Sequence, residues 1–220
     1  MAEITRIAWT DHTQNFWWGC SSTAGAGCDR CYAAALDRRT GGNFFGLGTR
    51  PRLTSAQNRN KPFRWNREAE ASGVRRKVFC GSMMDWADKN APEAAREEMW
   101  STIRSTPMLD WQLLTKRPGN ILAMLPDDWN EGYSNVWLGV TVENKRSGLR
   151  RLEQLRGIPA VVRFLSVEPL LEDLGSLDLT GISWVIIGVE SGAGYRLMAG
   201  SCVNRWKSRN GHLFRAVLLQ

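Results

Sequence analysis

Long apolar runs are missing from this chain of 220 residues. The longest candidate, Trp184 to Val189, is strand-sized, far below the ~18 residues that a membrane span requires. The first ten residues have no apolar stretch of the kind that marks a secretory signal, so a cytoplasmic protein without membrane partners is expected. There is also no internal repeat, no low-complexity tract and no convincing linker. Acidic residues are absent from Ser191 to Gln220, where Arg196, Arg205, Lys207, Arg209 and Arg215 lie. Much of the net charge of +7 therefore sits in the tail. A second basic stretch, Arg50 to Lys77, holds nine Lys or Arg against Glu68 and Glu70. Two basic patches on a nearly neutral body are compatible with a nucleic-acid partner, and equally with solvated loop charge.

Cysteine is scarce but clustered. Cys20, Cys28 and Cys31 form a C-x7-C-x2-C string, while Cys80 and Cys202 lie far away. In a reducing compartment such a cluster points to metal or redox chemistry rather than disulfides. Three thiolates can hold three irons of a 4Fe–4S cluster and leave the fourth open to a substrate or cosubstrate. Gly25 and Gly27 let the backbone bend around the site, and Tyr32 follows the last cysteine. Zinc is the rival, with His12 as fourth ligand, because structural zinc sites take four Cys or His and no fourth cysteine is near. Unligated thiols are the third alternative. Cys80, inside an apolar run, reads as a core thiol.

Five short apolar runs suit strands buried on both faces of a parallel sheet: Lys77–Gly81, Trp111–Thr115, Val136–Thr141, Val161–Ser166 and Trp184–Gly188. Ile4–Trp9 is a weaker sixth. Helices are predicted over Cys28–Arg39, Pro92–Arg104 with Asn90 as cap, Gly119–Leu125 and Glu143–Leu155. Residues 40–76 break the βα rhythm and read as a long basic loop with one or two short helices. Each strand runs into a polar string. These strings carry Asp85, then Lys116 and Arg117, then Glu143, then Ser166 and Glu168, then Glu190. Functional side chains at one end of every strand fit a partial (β/α)6 barrel of mostly parallel strands, with the cysteine loop after the first strand. The barrel domain is expected over residues 1–198, followed by a divergent basic tail over 199–220.

The cysteine string resembles that of the radical S-adenosylmethionine superfamily, although the usual first gap there is three residues. More closely, the chain resembles an uncharacterised phage and bacterial family with a three-cysteine motif. The resemblance is carried by Trp18-Gly-Cys20, Gly27-Cys28-Asp-Arg-Cys31-Tyr-Ala33, Gly81-Ser-Met-Met-Asp85, Leu113-Leu-Thr-Lys-Arg-Pro118, Val136 to Asn144, Arg163 to Leu171 and Trp184 to Gly192. It implies a 4Fe–4S cluster on Cys20, Cys28 and Cys31, with S-adenosylmethionine on the open iron. Reductive cleavage would release a 5′-deoxyadenosyl radical that takes hydrogen from a substrate, with an electron-donor protein as partner. Under that resemblance Tyr32, Asp85, Lys116, Arg117, Glu143, Ser166, Glu168 and Glu190 are cofactor-binding candidates. Nucleic acid or a modified nucleotide is the first substrate expected. The contrasting expectation is a non-catalytic nucleic-acid-binding protein braced by a metal, and a third is an enzyme that has lost turnover through its altered tail.

Overall fold

The structure is a computed structural model that describes residues 5, 7–22, 25–190 and 196. The predicted tail, with Cys202 and His212, lies outside the described residues.

The elements in chain order are β1 (His12–Gln14), β2 (Trp17–Trp18), α1 (Ala26–Asp29), α2 (Tyr32–Arg39), β3 (Arg52–Leu53), α3 (Ala56–Arg59), α4 (Lys61–Ser72), β4 (Arg76–Cys80), α5 (Glu93–Arg104), β5 (Leu109–Thr115), β6 (Val136–Thr141), α6 (Lys145–Arg156), β7 (Val162–Val167) and β8 (Trp184–Ile187). Six strands form one parallel sheet in the order β1-β4-β5-β6-β7-β8. β2 and β3 make a separate antiparallel ribbon, with Trp17 opposite Leu53.

Successive side chains along the strands point to opposite faces of the sheet, and both faces are largely buried. Val78, Cys80, Trp111, Leu113, Leu138, Val140, Leu165, Val167, Val185 and Ile187 belong to the main core on one face. Helix α5 adds Met99, Trp100 and Ile103, and α6 adds Leu152 and Leu155. Cys80 is a core thiol, and burial raises its pKa above the ordinary thiol value. On the other face, Trp9, Phe79, Phe164, Trp184 and Ile186 form a second, smaller cluster. A flat sheet would hold β1 and β8 about 24 Å apart, five gaps of ~4.8 Å. Trp9, three residues before β1, nevertheless packs its ring tilted against Phe79 at 4.7 Å and meets Trp184 of β8 edge-on at 6.0 Å. The sheet is therefore curved, with this aromatic cluster filling its concave side. Among the described residues no hydrogen bonds join β1 to β8, so a closed barrel is not formed. Gly139 leaves room for the Phe164 ring, since a Cβ there would fall inside it.

Several boundaries differ from expectation. Of the expected Ile4–Trp9 run, residues 4 and 6 lie outside the described residues, and residues 5 and 7–9 are not in a strand; among the described residues the first strand is His12–Gln14. Its polar string His-Thr-Gln carries no apolar signal, yet it pairs with β4 in the register His12 to Val78. The predicted helix over Cys28–Arg39 is two helices, broken at Arg30 and Cys31. Helix α5 begins after Pro92, and Asn90 does not cap it. The Gly119–Leu125 segment makes two 3₁₀ turns, Pro118–Asn120 and Leu122–Met124. In the long loop, α4 runs for 12 residues and stops at Gly73, whose φ of 66° suits only glycine without strain. Helix α6 starts at Asn144, whose side chain accepts from the Ser147 backbone N–H. Gly148 lets α6 approach the end of β6, because a Cβ would stand 2.6 Å from Val142 Cγ1.

Candidate functional site

A cavity of about 430 Å³ opens at the C-terminal ends of the parallel strands, a volume typical of small-ligand sites. Its lining includes Cys20, Cys28 and Cys31, together with Tyr32, Asp85, Lys116, Arg117, Ser166, Glu168 and Glu190. Trp9 and Phe79 close the floor. Of the cofactor-binding candidates only Glu143 is outside the lining, and it stands immediately behind the cysteine loop: a Cβ on Gly27 would lie 2.9 Å from its Oε1.

The three cysteines reach the cavity from two pieces of backbone. Cys20 is framed by short bonds: its N–H donates to Phe44 O at 3.1 Å and its carbonyl accepts from Gly46 N at 2.9 Å. Gly19, at φ 124°, packs where a Cβ would collide with the Phe44 carbonyl. Asp37 holds the same loop from α2, accepting from Trp18 Nε1 at 2.7 Å and from Phe44 N at 2.8 Å. Cys28 lies within α1 and Cys31 is the residue before α2, with Cys31 N–H donating to Cys28 O at 3.3 Å. Burial, with Asp85 adding to it and Arg117 opposing, pushes the Cys20 thiol up to about 11.

Asp85 and Arg117 pair with each other. Arg117 Nη1 donates to Asp85 Oδ2 at 2.7 Å and to Cys20 Sγ at 3.3 Å, while Nη2 donates to Ser21 Oγ at 3.0 Å. Asp88 stands 3.5 Å from Nη2 and accepts from Ser21 N at 2.6 Å and Ser21 Oγ at 2.8 Å. Burial works against the charge of Arg117, but Asp85, Cys20 and Asp88 outweigh it and raise its pKa above the ordinary value. Burial also opposes ionisation of Asp88, yet the N–H groups of Ser21 and Asn90 hold it below the usual carboxylate range. Asp85 is further fixed by Thr115 Oγ1 at 2.6 Å. Both members of the Asp85–Arg117 pair, expected singly as cofactor ligands, are thus engaged within the protein.

Lys116, the next cation on that string, makes no ion pair among the described residues and projects to the cavity. Burial raises the Glu168 carboxyl to about 7, with Lys116 partly opposing the shift. Glu143 is fully buried, with Oε2 accepting from Arg151 Nη1 at 2.5 Å. Its Oε1 has no hydrogen-bond partner, and neither has the buried Thr141 Oγ1. Unsatisfied buried acceptors are expensive and suit a site awaiting a donor. Glu190 pairs with Arg196, which lowers its pKa, and Arg196 Nη2 donates to Ala26 O at 2.8 Å, tying the cysteine loop to residue 190. Tyr32 donates to Ser82 O at 2.5 Å.

Among the described residues no three Cys, His, Asp or Glu side chains converge on one point suited to a single metal ion. His12, the fourth zinc ligand of the alternative expectation, is stacked on Trp65 at 4.3 Å and does not line the cavity. Trp17 is a core residue and Trp18 is spent on Asp37; neither walls the cavity. Met83 and Met84 are buried, and both also line it. In the basic stretch, Arg59 pairs with Glu98, Arg64 with Glu68 and Arg75 with Asp110, while Arg52 lies 5.1 Å over the Phe44 ring.

Sequence reasoning passed over Ser21, Asp88 and Arg151. Asp88 had a faint signal, three residues after Asp85. Arg151 had none, because it is one of several arginines on an arginine-rich helix and only packing shows that it is buried.

Among the described residues no helix is long and apolar enough to cross a membrane. No curated protein and no solved structure matches the chain. A family model described as "Protein of unknown function (DUF5131)" matches residues 4–210, and the chain belongs to that family.

Proposed function

We propose that the protein is a radical S-adenosylmethionine enzyme of the cytoplasm, built on a partial barrel, whose Cys20, Cys28 and Cys31 hold a 4Fe–4S cluster. One observation carries this reading. Three cysteines from two separate backbone segments border one cavity at the C-terminal ends of six parallel strands, beside a buried carboxylate oxygen with no donor. The residues fit the group in two respects. The ligands of a cubane each bind a different iron, so they need not converge on one point as zinc ligands must. The cavity also offers what an amino-acid sulfonium with a ribose needs: Lys116 for a carboxylate, and the acceptor Thr141 Oγ1 for an amine or hydroxyl.

When bound, the cluster and S-adenosylmethionine supply one-electron cleavage of the sulfonium and a hydrogen-abstracting radical. The chain's own residues orient and seal. Arg117 and Asp85 brace Cys20, Glu143 and Arg151 support the glycines of the cysteine loop, and the aromatic floor excludes water from the concave side. Glu168, with a carboxyl near neutrality, holds or releases a proton beside Lys116. A nucleic acid or nucleotide is the proposed substrate and a reductase-type protein the electron donor.

Electron paramagnetic resonance on anaerobically reconstituted, dithionite-reduced protein tests the proposal. A 4Fe–4S signal that shifts on adding S-adenosylmethionine is expected. About one zinc per chain and no iron would sink it, leaving a metal-braced nucleic-acid binder.

A further inference from the structure

Resting on the cluster reading above, we propose that Arg117 is a positioning residue that fixes the Cys20 sulfur and sets the reduction potential of the cluster, with Asp85 as its electrostatic counterweight. The guanidinium is held from three sides. One nitrogen serves both Asp85 Oδ2 at 2.7 Å and Cys20 Sγ at 3.3 Å, and the other serves Ser21 Oγ at 3.0 Å. The Arg117 and Asp85 side chains are each 10% exposed and that of Asp88 only 2%, so these bonds act with little screening. A planar fork reaches all three partners at once, whereas an ammonium on a flexible stem cannot keep that geometry. Arg117 is also the link between the end of β5 and the first cysteine, two places 97 residues apart in sequence.

Reduction adds one electron, and so one negative charge, to the cluster. An N–H donor on a ligating sulfur favours the more negative state and raises the potential, while a carboxylate behind it disfavours that state. The two halves of the pair therefore pull in opposite directions. Arg117→Lys should lower the midpoint potential, and Asp85→Asn should raise it. A general loosening of the site would expose the cluster and move both variants the same way.

The experiment is a potentiometric titration of the reconstituted full-length chain, with dithionite as the one-electron donor and the reduced-cluster resonance as the readout. Iron and sulfide per chain are counted alongside, and Arg75→Lys, which alters an exposed pair with Asp110, serves as control. Opposite shifts in Arg117→Lys and Asp85→Asn, with Arg75→Lys at the wild-type value, are expected. Coincident midpoints, or shifts of the same sign, overturn the inference while leaving the cluster reading intact. A wild-type chain that takes up no iron overturns both. Should Arg117→Lys fail to load, Asp85→Asn still decides, because its midpoint must rise.

Discussion

Arg151 is the side chain on which the back wall of the site stands. It reaches from α6 to Glu143 at 2.5 Å and to Thr141 O at 3.1 Å, with 8% of its side chain exposed and none of the glutamate's. Arg151→Met would leave Glu143 as a buried charge with no counter-ion. Removing one partner of a buried ion pair costs about 3–5 kcal/mol, a large part of a stability of roughly 5–15 kcal/mol. Replacing both partners removes the stranded charge. The double variant Glu143→Leu/Arg151→Met should therefore return to within about 1 kcal/mol of wild type. Urea unfolding of the two single variants and the double, completed as a double-mutant cycle, measures this directly. A loss below about 1 kcal/mol for Arg151→Met, or a cycle without coupling, would refute the buried-pair reasoning. The restored double variant carries a second expectation under the proposed function: without the glutamate packed beneath Gly27, the cysteine loop loses its support and iron uptake on reconstitution falls.

Two more outcomes follow from the same wall and from the cavity. Gly27→Ala places a Cβ 2.9 Å from Glu143 Oε1, which Arg151 prevents from yielding, whereas Gly25→Ala finds its nearest neighbour at 3.7 Å. The alanine at 27 should abolish iron uptake and the one at 25 should leave it near wild type, as iron analysis after reconstitution would read; equal uptake in both contradicts the packing. Glu168 is raised from 4.5 to about 7 in the folded chain, so the native state keeps a proton that the unfolded chain releases. Its contribution to stability thus falls as pH rises between about 4.5 and 7, and the penalty is complete above that window. Glu168→Gln should flatten this dependence and gain up to about 3 kcal/mol at pH 8, read from urea midpoints at pH 5 and 8. An unchanged difference between the two pH values would show that the carboxyl is not raised.

The sequence by itself determined the parallel sheet. Val136–Thr141 was legible residue for residue, and the other apolar runs lie within two residues of β4, β5, β7 and β8, because strands buried on both faces must be continuously apolar. It also marked the three cysteines and the polar strings at the strand ends, since chemistry-bearing residues stand out against those runs. It could not reveal β1, whose His-Thr-Gln carries no apolar pattern and is a strand only because β4 offers it an edge. Tertiary structure alone decided which charges are spent within the protein and which remain for a ligand. Asp85 and Arg117, 32 residues apart, neutralise one another, and Arg151 is buried among exposed arginines of the same helix. Lys116 lines the cavity without an ion pair among the described residues. Residue types are written in the chain, but the pairing of charges depends on distances of a few ångströms between segments that only the curved sheet brings together.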